Sequence, residues 1–284
     1  MQAMKNYFGV SWICTWAWAC LALPCVWAIG NIDPTNKYAW TENAGWANAV
    51  PTNGGVTVYY NGTSGYLTGY AWGENIGWIK LGSDSGGPYA NTSATDWGVN
   101  VDAMSNLSGY AWSENVGWIK FNSAYNQTTM DMATGRFNGD AWGENIGWVR
   151  FKGAAPDYNV RTLAFDKQPQ GTPNWWLANY GVVEDYDEGD LVPAWQEYVA
   201  DTDPTNLNSY LHAVAISNLP PTTVYFPSSS RRYYTLQRRD NLLAGVWTNV
   251  SGQIAIQGAG GPDSLQDMTA VPQQFYRIAV EVSP

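Results

Sequence analysis

The residues with the clearest chemical potential in this sequence occur in a short pattern that is repeated four times. Each copy reads Ala-Trp-X-Glu-Asn-X-Gly-Trp, where X is a small or apolar residue. Indole rings stack on the apolar faces of sugar rings, and glutamate and asparagine supply oxygen atoms that bind hydroxyl groups or Ca²⁺. The first tryptophans of the copies are Trp40, Trp72, Trp112 and Trp142, so the copies are 32, 40 and 30 residues apart.

The repeated residues allow two interpretations. In one, they form a glycan-binding surface, whose candidates are Trp72, Trp78, Trp112, Trp118, Trp142, Trp148, Glu74, Glu114 and Glu144. In the other, which we expect to hold, the tryptophans pack within and between the repeats as the core, because stacked repeats need apolar surface to bury. The glutamates would then be solvated at loop tips, where asparagine tolerates the turn conformation.

The spacing inside each copy predicts a β-hairpin, because Glu-Asn lies between two arms rich in β-forming residues. If Gly73 lies opposite Gly77, then Trp72 lies opposite Trp78 and forms a cross-strand pair on one face. The intervening positions, such as Ala71, are apolar as well. We therefore expect a sheet that is covered on both faces.

A third strand is predicted after each hairpin, at residues 56–60, 98–102, 129–132 and 159–163. Four such units predict an all-β domain over residues 29–168, built either as a small β-propeller or as a stacked β-solenoid. An acidic, partly helical linker follows over residues 169–210. Short strands separated by turn residues then predict a small β-sandwich over residues 211–284.

Residues 1–28 have the pattern of a secretory signal peptide, since Lys5 is the one charge before an apolar run from Tyr7 to Trp27, and Val26-Trp27-Ala28 is an acceptable cleavage site. The alternatives are an uncleaved membrane anchor and lipoprotein cleavage at Cys25. The three cysteines, Cys14, Cys20 and Cys25, all lie in this segment. We therefore expect a mature chain without cysteine or a membrane span, either secreted or on the cell surface.

Composition and charge narrow the function further. The net charge of −10, with 14 basic residues, argues against nucleic acid as a partner. A Ser-His-Asp arrangement would have to use the single histidine, His212, and the sequence has no nucleophile motif to go with it. Four similar glutamates do not provide the one protonated and one ionised carboxyl group that glycoside hydrolysis needs. We predict no catalytic residues, and a hydrolase or lyase that uses carboxylates alone is the least favoured alternative.

The C-terminal part resembles a module of bacterial secreted proteins. Residues 193–206 read Pro-Ala-Trp-Gln-Glu-Tyr-Val-Ala-Asp-Thr-Asp-Pro-Thr-Asn. This segment is similar to one that follows a calcium loop of the EF-hand-like or thrombospondin type 3-like kind in those proteins. Residues 233–247 and 274–278 are similar to their end module, and the tryptophan repeat is similar to repeats of bacterial extracellular proteins. The resemblance implies secretion and no particular reaction.

The same resemblance implies a calcium site. Its candidate ligands are Asp185, Asp187, Asp190, Glu197, Asp201 and Asp203. In such loops alternating carboxylates supply oxygen ligands, and the final glutamate binds through both oxygens. This sequence departs from the pattern, because counting back from Glu197 places Tyr186 first and Ala194 ninth. The alternative is a solvated acidic linker that leads into a helix near residues 194–200.

Together these features predict a secreted or cell-surface protein with a structural or adhesive role and no catalytic activity. Its partners would be other proteins, including copies of itself that associate through exposed strand edges. The alternative is a glycan-binding module that uses the tryptophan and tyrosine side chains of the repeats. Calcium is the one cofactor that the sequence suggests.

Overall fold

The computed structural model describes residues 30–217, 221–269 and 274–283. The predicted signal peptide, residues 1–28, lies outside the described residues. The described part consists mainly of antiparallel strands with two short helices, which confirms the all-β prediction. No helix in these ranges is both long enough and apolar enough to cross a membrane.

We call the part of the chain that contains all four motif copies the repeat unit. Its strands are β1 (Ile32–Thr41), β2 (Gly45–Asn48), β3 (Gly55–Tyr60), β4 (Gly65–Gly73), β5 (Gly77–Lys80), β6 (Val99–Val101), β7 (Leu107–Ser113), β8 (Gly117–Lys120), β9 (Thr129–Met130), β10 (Phe137–Asn138), β11 (Asp140–Gly143), β12 (Gly147–Arg150), β13 (Lys152–Ala154) and β14 (Asp157–Thr162). The helices α1 (Asn174–Tyr180) and α2 (Ala194–Ala200) follow. The end module contains β15 (Ala215–Ser217), β16 (Thr222–Pro227), β17 (Tyr233–Arg239), β18 (Thr248–Asn249), β19 (Ile256–Gln257), β20 (Pro262–Asp267) and β21 (Phe275–Glu281).

The four motif hairpins pair edge to edge and form a closed ring of eight strands. The hairpins are β1–β2, β4–β5, β7–β8 and β11–β12, and the pairs β2–β4, β5–β7 and β8–β11 join them. The pairing of β12 with β1, where Trp40 lies opposite Arg150, closes the ring. Neither a propeller nor a solenoid is confirmed. In a propeller each repeat forms a sheet of its own, and in a solenoid the repeats stack on one another, whereas the four hairpins of this chain belong to one sheet.

The register inside each hairpin is the predicted one. Trp72 lies opposite Trp78, and the equivalent tryptophans pair in the other three hairpins. Neighbouring hairpins are displaced along the strand by two residues, since Trp112 lies opposite Lys80 rather than Trp78. The third strands β3, β6 and β14 form close to the predicted positions, whereas β9 has only two residues.

Small and aliphatic side chains fill the inside of the ring. The buried positions that alternate with the motif tryptophans are Ala39, Ala47, Ala71, Ile79, Ala111, Ile119, Ala141 and Val149. Phe121 and Phe151, which directly follow β8 and β12, extend this core beyond the hairpin strands. The residual void among these groups is only about 60 Å³, so the interior is a packed core and not a channel.

Asparagine side chains connect the second, third and fourth hairpin loops to the loop before each of them. The Nδ2 atoms of Asn75, Asn115 and Asn145 donate hydrogen bonds of 3.0 Å to the backbone oxygens of Ala44, Ile76 and Val116, respectively. In these loops the left-handed backbone conformation is adopted by the glycine two residues after the asparagine, with φ of 75° at Gly77. The expectation that asparagine serves to adopt the turn conformation is therefore wrong, since its side chain is used between repeats.

Replacing Asn75 by alanine removes one of these links and leaves the Ala44 carbonyl without its donor. We expect Asn75→Ala to lower the free energy of unfolding by about 1 kcal/mol, a typical net value for one hydrogen bond. The neighbouring variant Glu74→Ala, at an exposed loop position, should change it by less than about 0.5 kcal/mol. Denaturant unfolding of both variants checks this, and equal effects would contradict the proposed role of the amide.

The segment between the two β-rich parts has a small core of its own. Trp176 and Leu177 of α1 and Ala194 of α2 are buried together. The segment contacts the repeat unit through Asn179, whose Nδ2 donates to the Tyr60 backbone oxygen at 2.8 Å. On the other side, Nη2 of Arg232 in the end module donates to the backbone oxygen of Tyr198 at 2.6 Å. The segment is thus packed against both neighbours.

The end module consists of two antiparallel sheets. One has the strand order β15-β16-β20, and the other places β18, β19 and β21 along β17. Facing residues from the two sheets form its core, among them Val224, Phe226, Leu236 and Leu265. Asp267 is buried at the margin of this core and accepts hydrogen bonds from Arg238 Nη1 at 2.8 Å and from the backbone and side chain of Thr269.

These contacts make the end module sensitive to acid. Burial alone would raise the pKa of Asp267, but the hydrogen bonds from Thr269 and Arg238 lower it below its ordinary value. A carboxyl group whose pKa is lower in the folded state stabilises that state above its ordinary pKa and loses the effect as pH falls. We expect Asp267→Asn to be less stable at neutral pH and to flatten the loss of stability between about pH 5 and pH 2. Denaturant unfolding across that range measures it, and an unchanged slope would contradict the assignment.

Candidate functional site

The motif tryptophans lie on the outer face of the ring. Trp72, Trp78, Trp118 and Trp142 are between 37% and 43% exposed, and the other four are half-buried. The expectation that they form the core, within a sheet covered on both faces, is therefore wrong. The physical reason is space, because a closed ring of eight strands has an interior just wide enough for ordinary side chains, and eight indoles do not fit there.

The tryptophans of each hairpin contact each other in a T-shaped or tilted arrangement. The ring centroids are 5.0 Å apart for Trp72 and Trp78 and 4.6 Å apart for Trp112 and Trp118. The other two hairpins have separations of 4.9 and 4.8 Å. An edge-to-face pair stabilises a hairpin by about 0.5–1.5 kcal/mol beyond area burial. The contact also holds each indole in a defined orientation at the surface.

A groove of about 840 Å³ lies between the second and third hairpins. We call it the aromatic groove, and its lining includes Tyr70, Trp72, Trp78, Lys80, Trp97, Trp112, Glu114 and Asn115. The pairing of β5 with β7 runs along it, where Lys80 lies opposite Trp112. The groove therefore forms at the joint between two hairpins, with indoles contributed by both.

The longest interval between successive motif copies, from Trp72 to Trp112, supplies one side of the groove. Trp97 belongs to the residues that separate β5 from β6, and its ring lies 5.1 Å from that of Trp118. Ser83 holds it in place, because the Trp97 backbone nitrogen donates to Ser83 Oγ at 3.1 Å. On the side of the second hairpin, Gly54 packs on Trp78, since a Cβ at Gly54 would lie 2.8 Å from Cζ3 of that indole.

Two charged residues border the indoles. Lys80 Nζ donates a hydrogen bond of 2.6 Å to Asp84 and lies 5.7 Å from the centroid of the Tyr70 ring. Partial burial would lower the pKa of Lys80, but the contact with Asp84 raises it above its ordinary value, so the ammonium group stays charged. Glu114 is exposed at its loop tip. The groove thus combines aromatic faces with one positively and one negatively charged side chain.

The structure brings together only some of the predicted glycan-binding residues. Of these candidates, Trp72, Trp78, Trp112 and Glu114 line the aromatic groove. Trp118 does not line it but contacts Trp97 and Trp112, which do. The remaining candidates, Trp142, Trp148, Glu74 and Glu144, do not line it either. Sequence reasoning missed Tyr70, Lys80 and Trp97 as lining residues. The signal that could have found Trp97 is the interval of 40 residues between Trp72 and Trp112, against 32 and 30 elsewhere.

A second cluster of chemically active groups lies between α1 and α2. One carboxylate oxygen from each of Asp187, Glu188 and Asp190 lies within 4.8 Å of the others. Glu197 of α2 is fully buried, and burial together with the charges of Glu188 and Asp190 raises its pKa to about 7. Of the predicted calcium ligands, Asp187 and Asp190 belong to this cluster, and the charge of Asp190 acts on Glu197. Glu188 was missed, although counting back from Glu197 places it third in the loop, at a ligand position.

The other predicted calcium ligands have different surroundings. Asp185 is exposed and lies outside the cluster. Asp201 forms an ion pair with Arg231 at 2.7 Å and accepts a hydrogen bond from Ser229 Oγ. Asp203 accepts hydrogen bonds from the backbone and side chain of Thr205 at 3.0 and 2.7 Å. Asp201 and Asp203 are thus engaged in the end-module contact and in a turn, although the charge of Asp203 also acts on Glu197. The calcium site stays a prediction.

Comparison with known proteins gives no match to this chain among protein families, curated proteins or solved structures. The function has to be inferred from the geometry of the chain itself.

The exposure of the indoles can be tested by oxidative footprinting followed by mass spectrometry. We expect Trp78 and Trp118 to be modified early in the folded protein, because about two fifths of each side chain is exposed. Trp176, which is 5% exposed, should be protected until the protein unfolds. Quenching of fluorescence by acrylamide should likewise reach a large fraction of the indoles. Protection of Trp78 and Trp118 equal to that of Trp176 would contradict the outward orientation.

Proposed function

We propose that the repeat unit binds a glycan in the aromatic groove. The observation that carries the proposal is the outward position of the paired indoles, several of which border one groove. Indoles that only held the fold together would gain stability from being covered, whereas these keep a large exposed fraction. Contiguous apolar surface with a polar rim is typical of a binding site.

The lining of the groove suits a sugar. The aromatic faces of Trp78 and Trp112 provide stacking surfaces for the C–H faces of pyranose rings. Lys80 and Glu114 offer a donor and an acceptor for hydroxyl groups. Because one cation and one carboxylate are present together, the groove favours a neutral glycan over a strongly charged one.

Binding without hydrolysis fits this lining better than catalysis does. Glycoside hydrolysis uses two carboxyl groups on either side of the scissile bond. Among the described residues that line the groove, Glu114 is the single carboxylic acid. We therefore propose a binding module that acts outside the cell, in keeping with the secretion signal expected at residues 1–28.

A structural or adhesive role is the second candidate, and one observation favours it. The end module exposes Ile216 in strand β15 and Val214 directly before it, at 50% and 60%. Exposed apolar side chains next to a strand at the margin of a sheet are typical of protein contacts. The ring itself offers less for such association, because each of its eight strands is paired on both sides. Adhesion would therefore involve the end module.

The groove can be tested with two matched tryptophan variants. Trp112→Ala removes an indole that lines the groove, and Trp142→Ala removes the equivalent indole of the fourth hairpin, outside it. We expect Trp112→Ala to weaken glycan binding by roughly tenfold or more, as for a central aromatic contact. Trp142→Ala should bind within about threefold of the original chain. A screen of the unmodified protein on a glycan array identifies the ligand, and calorimetry then measures the affinities.

The pair also controls for folding, because each substitution removes one partner of an indole pair. An array without any binding would contradict the proposed function. Equal losses in the two variants would contradict the assignment to this groove.

A further inference from the structure

The loop between β17 and β18 of the end module exposes three large aliphatic side chains. Leu242, Leu243 and Val246 are 53%, 96% and 77% exposed. They lie close together in the sequence, and we call them the apolar tip. A single exposed aliphatic residue is ordinary at a protein surface, whereas several on one short loop indicate a place where the protein contacts an apolar partner.

Hydrogen bonds give this loop a defined turn. The Nε atom of Arg239 donates to the backbone oxygen of Ala244 at 3.1 Å, and the backbone nitrogen of Leu243 donates to Oδ1 of Asn241 at 2.8 Å. Gly245 has a φ of 93°, a conformation that glycine adopts without strain. The exposure of the apolar tip is therefore a property of an ordered turn.

Two arginines and a tryptophan lie at the base of the same loop. The guanidinium carbons of Arg239 and Arg277 lie 5.8 and 4.6 Å from the centroid of the Trp247 ring. Both arginines are on one face of the sheet, because Arg277 lies opposite Gln237, two residues before Arg239 in β17. Stacking on the indole holds the two cations side by side.

Neither arginine forms an ion pair with a described carboxylate. Arg277 Nε donates to the side-chain oxygen of Gln237 at 2.7 Å, and the terminal nitrogens of both guanidinium groups have no partner among the described residues. The nearest acids in the sequence are otherwise engaged. Asp240 accepts a hydrogen bond from Gln274 at 3.2 Å, and Asp267 pairs with Arg238. Two planar cations with free donors suit the oxygen atoms of a phosphate group.

The end module also differs in charge from the rest of the chain. Residues 211–284 contain five arginines and four acidic residues, although the whole chain has a net charge of −10. The end module is therefore the part of the chain that an anionic surface repels least.

We propose that the apolar tip, with Arg239, Arg277 and Trp247, docks the end module on a membrane surface that contains anionic phospholipids. The aliphatic side chains enter the boundary between headgroups and acyl chains, and the indole lies at the level of the headgroups. The guanidinium groups bind lipid phosphates. An apolar layer followed by an aromatic and a cationic layer matches the order of a lipid surface. This docking surface is separate from the aromatic groove and goes beyond glycan binding.

The test is co-sedimentation of the purified full chain with lipid vesicles. We expect binding to vesicles of equal parts phosphatidylcholine and phosphatidylglycerol. Binding to phosphatidylcholine alone should be roughly tenfold weaker, because each basic residue near an anionic surface adds to the affinity. Added salt should weaken the binding to the mixed vesicles. Absence of binding to the mixed vesicles, or equal binding to both kinds, would overturn the proposal.

Matched variants assign the effect to the loop, and all of them share residues 1–28, so that segment contributes equally. Leu243→Ser should weaken binding to the mixed vesicles by roughly tenfold. Leu191→Ser, which changes a leucine that is 86% exposed in the acidic segment, should leave the binding unchanged. Arg277→Gln should weaken it by about fivefold and reduce its salt dependence. Arg136→Gln, at an exposed arginine of the repeat unit, should have no such effect.

Two outcomes would replace a lipid surface by another explanation. Equal losses in Leu243→Ser and Leu191→Ser would show general adsorption of apolar residues. Self-association without vesicles that is lost in Leu243→Ser, while vesicle binding is kept, would assign the apolar tip to a contact between copies of the chain. Either result overturns the proposal, and neither bears on binding in the aromatic groove.

Discussion

Eight strands that close on themselves leave an interior of fixed and narrow width, and this limit decides where each residue of the repeat can lie. Alanine, valine and isoleucine are small enough for the inside, and they fill most of it, leaving a void of about 60 Å³. The indoles are too large, so they take the alternate positions on the outer face. The same alternation that gives the ring a packed core therefore gives the protein an aromatic surface.

The outward indoles combine two roles. Each pair stabilises its hairpin through a T-shaped or tilted ring contact, and each leaves part of a ring exposed to another molecule. The four hairpins are alike in this respect, but only the joint between the second and third has the groove with Trp97 at its side. Similar repeats thus produce a single distinctive site, because one connecting segment is longer than the others.

The local structure could be predicted from the sequence, and the arrangement of the hairpins could not. The pairing of Trp72 with Trp78 follows from the symmetry of the motif about its loop. The direction of each face does not follow, because Ala71 and Trp72 are both apolar and alternation alone does not say which side is inside. Contacts between distant segments were missed as well, since the amide of Asn75 reaches the loop of another repeat.

Closure of the ring also sets how such a chain can change over evolutionary time. An open array of repeats gains or loses units one by one and remains a folded object. Here the last hairpin must meet the first, at Arg150 and Trp40, so a fifth copy would widen the centre beyond what alanine and isoleucine can fill. Variation is therefore expected in the lengths of the connections, as between Trp72 and Trp112, while the number of copies stays at four.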